Sequence, residues 1–151
     1  MRVPLFRFKS NGGTAFFCNP LSNELEKPMA RILVIDDDPN IRLLVGKFLT
    51  MDGHEVDLAE NGAVGLKMAR LHQYDLVITD VIMPEQDGLE VVMQIKQLCP
   101  LVRIIVMTGG GAEFSIDELL TMTKLLKADR GLSKPHDFEK LPLVVREVLA
   151  N

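Results

Sequence analysis

The chain is poor in the features that staple, anchor or activate a protein by themselves. Among its 151 residues are only two cysteines. Cys18 and Cys99 stand far apart and match neither a disulfide framework nor a metal-ligand spacing, so a reducing, cytoplasmic setting is expected. No apolar run approaches the length needed to span a bilayer. Positive charge is in the minority: 17 Lys and Arg against 21 Asp and Glu give a formal net charge of −4. That balance argues against nucleic acid or an anionic membrane as partner. Histidine offers no candidate general base, since His54 opens a strand, His72 ends a helix and His136 follows a lysine–proline pair. Internal repeats and low-complexity tracts are absent too. What remains, 47% hydrophobic and 25% charged, is ordinary for a globular domain. The length allows one domain with a sizeable core.

Residues 1–29 differ from the rest. They lack helical or alternating periodicity and are broken by Pro4, Gly12, Gly13, Pro20 and Pro28. Their basic start and the short "TAFFC" segment resemble a signal peptide only in outline, because the apolar core is short and interrupted. We expect an extension here, disordered or upstream of a true start at Met29, with the domain occupying 30–151.

From Ala30 onward apolar strand candidates alternate with amphipathic helices. The strands are Ile32–Ile35, Glu55–Leu58, Leu76–Thr79, Arg103–Met107 and Gly131–Ser133. The first helix places Ile41, Leu44, Val45, Phe48 and Leu49 on one face. The second starts at Asn61 as N-cap and carries Val64, Leu66, Met68 and Leu71. The third carries Leu89, Val92, Met93 and Ile95, with Asp87 as its cap and Pro100 beyond its end. Two more helices, "FSIDELLTMTKLLK" and "DFEKLPLVVREVLA", complete the set, the last with Pro142 early in it, placed to tilt or delay the first turn. Met68, Met93 and Met122 are assigned to the core. Five strands alternating with five helices imply a parallel sheet covered on both faces, an α/β three-layer sandwich.

In such a sheet ligands bind beyond the carboxyl ends of the strands. Asp36, Asp37 and Asp38 follow the first strand, Asp80 the third, Thr108 the fourth and Lys134 the fifth. Carboxylates crowded at one edge repel one another unless a cation offsets them. Magnesium takes hard oxygen ligands and retains waters, so it suits a shallow acidic pocket. Asp36, Asp37 and Asp80 are therefore the candidate metal ligands. Asp38 precedes Pro39 and reads as the helix N-cap instead. A carboxylate can also attack phosphorus to give an acyl phosphate, a transfer that needs positioning and charge compensation more than covalent chemistry from the protein. Lys134 and Thr108 are the candidate charge and hydrogen-bond partners of a phosphoryl group.

The stretches "ILVIDDDP", "DLVITDVIMPEQDG", "IIVMTGG" and "LSKP", in this order and spacing, resemble the receiver domain of two-component response regulators, over Ala30 to Asn151. The resemblance implies a flavodoxin-like fold with a five-stranded parallel sheet. It further implies Asp80 as phosphoacceptor, loaded by a sensor histidine kinase or a histidine phosphotransfer protein. Mg2+ would be held by Asp36, Asp37, Asp80 and the backbone carbonyl of Ile82. Thr108 and Lys134 would contact the phosphoryl group, Met83 and Pro84 would shape the loop, and the Lys134–Pro135 peptide would be cis.

Three positions depart from the family pattern. Gly131 stands where an aromatic switch residue is usual, "GGGAEFS" lengthens the segment after Thr108, and His136 replaces a usual phenylalanine. The expected role is a stand-alone receiver, not an enzyme beyond assisting its own phosphoryl transfer and slow self-dephosphorylation, acting through contacts with a downstream protein target. Gly131 keeps open an alternative, a phosphate-independent interaction module on the same fold. A magnesium-dependent phosphohydrolase is a third class, which would turn over external phosphoesters.

Overall fold

The computed structural model describes residues 29–83, 86–109, 115–135 and 137–151, the side chains of 86 and 87 excepted. Five strands, β1 (Arg31–Ile35), β2 (Glu55–Ala59), β3 (Leu76–Asp80), β4 (Arg103–Thr108) and β5 (Arg130–Ser133), form one sheet. Five helices alternate with them: α1 (Pro39–Met51), α2 (Gly62–Leu71), α3 (Gly88–Leu98), α4 (Ile116–Leu125) and α5 (Leu141–Ala150). Every pairing in the sheet is parallel, in the order β2-β1-β3-β4-β5. The order reverses between β1 and β3, which is where an open parallel sheet forms its crevice.

Alternation along each strand divides the core in two. On β1, Leu33 and Ile35 join Leu66, Val91, Val92 and Ile95 of α2 and α3. Ile32 and Val34 join Val45, Leu49, Leu141 and Val145 of α1 and α5. All five expected strands and helices are present. Each strand is one residue longer than expected, at its start in β1 and β5 and at its end in β2, β3 and β4, because ladder pairing continues beyond the apolar run. Asp80 is thus the last residue of β3, opposite Met107, rather than the first residue after the strand.

Caps fall where short polar side chains precede the helical runs. Asp38 Oδ1 accepts from the Asn40 and Ile41 N–H groups at 2.9 and 3.4 Å. Asn61 Oδ1 accepts from the Val64 N–H at 2.9 Å. Ser115 and Glu118 form a reciprocal capping box on α4. A single turn of 3-10 helix, Phe138–Lys140, precedes α5 and its early Pro142.

Three helix assignments need correction. Leu44, Leu71 and Met93 are 40%, 67% and 57% exposed, so none is a core residue. Leu71 is the last residue of α2, while Met93 lies on the side of α3 that faces α4 across an open groove. Met68 and Met122 do pack on the core. A short antiparallel pair, Ile82–Met83 with Gln86–Asp87, has no counterpart in the sequence pattern. The extension over 1–28, Pro84, the cap expected from Asp87, the glycine-rich segment at 110–114 and His136 lie outside the described residues.

Candidate functional site

Three carboxylates meet at the β1–β3 edge. Asp36 continues the ladder of β1, donating its N–H to the Ala59 carbonyl at 3.2 Å, and its side chain is wholly buried. Its Oδ1 accepts from the Asp38 N–H at 2.9 Å. The cap made by Asp38 turns the chain into α1 and leaves Asp37 exposed between the two. Asp80 is 3% exposed; its Oδ1 accepts from the Ile82 N–H at 3.0 Å. Ligand oxygens from Asp36, Asp37 and Asp80 all lie within 4.8 Å of one another.

Lys134 closes the cluster. It leaves β5 with its N–H donated to the Thr108 carbonyl at 2.7 Å, and the Lys134–Pro135 peptide is cis. Its Nζ donates to Asp80 Oδ2 at 2.7 Å and stands 2.5 Å from Asp36 Oδ2. The latter contact is an ion pair that gives the buried Asp36 Oδ2 its partner. Thr108 ends β4, 2% exposed and opposite Ser133. Asp37, Asp80, Ile82, Gly109, Lys134 and Pro135 line a cleft of about 440 Å3. The Ile82 side chain is 42% exposed beside it and Met83 is buried.

Burial pushes the Asp36 and Asp80 carboxyls above the usual carboxylate range, and the Lys134 ammonium only partly opposes it. Desolvation works to lower Lys134 in turn, but bonds to Asp36 and Asp80 outweigh it and hold its pKa above the ordinary lysine value. Three carboxylates against one ammonium leave a formal excess of two negative charges. All donors are hard oxygens. That donor set fits a divalent cation of the magnesium type.

Three supporting residues escaped the sequence pattern. Arg42 donates to the Asp36 carbonyl at 2.7 Å, holding the acidic turn from one turn along α1. A cation near a helix N-terminus opposes the dipole, and that misfit was its only signal. A Cβ on Gly88 would lie 2.3 Å from the Val81 carbonyl and 2.6 Å from that of Asp80, so glycine lets α3 start against the loop after β3. On Gly109 a Cβ would meet Lys134 Cβ at 2.7 Å.

Sheet order and pocket together define a flavodoxin-like α/β protein with a charged crevice at the carboxyl edge of its strands. Residues 32–146 match the family model of the response regulator receiver domain, and the chain belongs to that family. Phosphorylation and magnesium binding are general in this family of two-component signalling modules. The chain is 39% identical over 124 residues to the DNA-binding transcriptional regulator NtrC of Azospirillum brasilense, covering 80% of this chain and 24% of that protein. It thus spans about a quarter of the first transcriptional regulators it matches. Sporulation initiation phosphotransferase F of Bacillus subtilis is 30% identical over 119 residues, 79% of this chain and 93% of that one. Among solved structures, the response regulator TrrA of Thermotoga maritima in complex with Mg(2+)-BeF is 38% identical with a TM-score of 0.68, covering 80% and 99% of the two chains. A CheY-like receiver from Methanospirillum hungatei gives a TM-score of 0.72 at 26% identity, over 81% and 94%.

Proposed function

We propose that this receiver accepts a phosphoryl group on Asp80 from a histidine kinase or a histidine phosphotransfer protein. The carrying observation is the acidic cluster closed by Lys134. In the transfer, an Asp80 carboxylate oxygen forms a bond to phosphorus as the bond from phosphorus to the donor imidazole nitrogen breaks. The imidazole leaves with the electron pair and takes up a proton. Lys134 exchanges its carboxylate contact for a phosphoryl oxygen, and the Thr108 hydroxyl donates to another. Asp36, Asp37, Asp80 and the Ile82 carbonyl would hold Mg2+, which supplies positive charge against the phosphoryl oxygens. Pro135 lines the cleft.

The unit is residues 30–151, with 1–29 an extension. It acts as a stand-alone regulator in the cytoplasm, passing its signal to a downstream protein by contact. The similarity to sporulation initiation phosphotransferase F, of which this chain covers 93%, supports this reading. Among the described residues no helix is long and apolar enough to cross a membrane. Catalysis is limited to assisting its own transfer and slow hydrolysis of its own acyl phosphate.

Incubating the chain with a small phosphodonor and Mg2+ should add one phosphate by intact mass, and Asp80→Asn should add none. Unchanged addition in Asp80→Asn would refute the assignment of the acceptor. No addition in the unsubstituted chain would favour the phosphate-independent module, for which Gly131 is the structural motive.

A further inference from the structure

Between α3 and α4 the surface opens into a groove of about 570 Å3. Leu89 and Met93 of α3 line one wall, and Met122 and Leu125 of α4 the other. Met93 is 57% exposed and Leu125 78%. Contiguous apolar exposure of this kind marks an interaction site more often than scattered single residues do. At the N-terminal end of α4 the groove is edged by Asp117 and Glu118. Hydrogen bonds from Ser115 hold the Glu118 carboxyl below its usual range, so it is ionised. Asp117 makes no ion pair among the described residues.

The seat of α4 has a cause in sequence. A Cβ on Gly131 would lie 2.5 Å from Thr123 Oγ1 and 2.8 Å from Leu119 Cδ1. With glycine there, α4 seats on β5 through Leu119 and Thr123, closer than any side chain would allow. The other flank of α4, with Met122 and Leu125, lines the groove toward α3.

We propose that this groove docks a basic amphipathic helix of a partner protein, apolar side chains inserted between α3 and α4 and a lysine or arginine set against Asp117 and Glu118. Helix-in-groove recognition uses this combination of apolar floor and charged edge. A second copy of the chain fits less well, because an isologous contact brings the same acidic edge to both sides of one interface. Both walls begin at the loops that follow β3 and β4. Docking would therefore report on Asp80, a link that rests on the proposed phosphoacceptor, whereas docking itself does not.

The test uses the full unphosphorylated chain without Mg2+, so its failure leaves the Asp80 chemistry standing. The probe is a synthetic helix with leucines at i, i+3, i+4 and i+7 and lysines flanking them; a scrambled peptide of equal composition is the control. With 13C-methyl methionine labelling, Met93 and Met122 should shift saturably with the helix and not with the scramble. Met93→Lys, a surface change, should abolish the shifts at Met122. Asp117→Asn with Glu118→Gln, which keeps the capping box, should weaken binding severalfold and remove its salt dependence. Gly131→Phe should push α4 off β5 and close the groove, with melting curves reporting that the variant is folded. Shifts at Met51 or Met83 alone, equal binding of the scramble, or self-association shifting Met93 without peptide would each overturn the proposal.

Discussion

At Asp36 and Asp80 burial works against charge, and the sign of that conflict can be measured. A carboxyl whose folded pKa is raised favours the fold while protonated, and that contribution is lost as pH rises through the raised value. Without divalent ions, stability should therefore fall as pH rises above about 4, and Mg2+ should restore it. Asp80→Asn removes one of the opposed charges and should flatten this fall, leaving the metal-free protein more stable than the unsubstituted one at pH 7 in urea titrations. Asp57 behaves oppositely. Burial would raise its pKa, but bonds from Tyr74 and Arg31 outweigh that and set it below the usual range. Its contribution is present above about pH 4 and is lost on further acidification. Tyr74→Phe removes the 2.8 Å hydroxyl bond and should weaken only that acid-side dependence. In the sequence, the four acids, Thr108 and Lys134 stood out because each follows an apolar run. Arg42 and Gly88 were not, since their partners are backbone carbonyls that only the fold brings near.

Among the elements, α1 shows how local chemistry sets a boundary. Three acids stand in a row, yet only Asp38 caps, because Pro39 at the first helical position fixes where the helix starts. Asp38→Ala should cost about 1 kcal/mol, read as a lower urea midpoint with unchanged slope. Asp37→Ala should leave the midpoint nearly unchanged, since Asp37 is exposed and makes no cap. Strand ends were legible only to within a residue: apolar runs mark burial, whereas ladder pairing carries Asp80 into β3 opposite Met107. Helical spacing identified the inward stripes of α1, α2 and α3 but not their edges. Met93 repeats at the right interval for a core residue but is exposed on the groove between α3 and α4, an outcome invisible in the periodicity of α3 itself.

Taken whole, the molecule is a sheet buried on both faces, and that architecture is testable through neighbouring residues. Ile104 and Ile105 are successive on β4, both fully buried, one in each core layer. Ile104→Val and Ile105→Val should each cost about 0.5–1.5 kcal/mol in urea unfolding, whereas a sheet with one wet face would tolerate one of them. The sequence by itself determined the class of fold and which charged side chains stand at the carboxyl edge of the sheet. Alternating apolar runs admit few parallel topologies, and ligands gather beyond the carboxyl ends of strands. Tertiary structure alone decided how Lys134 bridges Asp36 and Asp80, how Arg42 holds the acidic turn, and that a groove lies between α3 and α4. Those outcomes depend on close approach between segments distant in the chain, where a missing Cβ or a buried oxygen acts only once its neighbour has arrived.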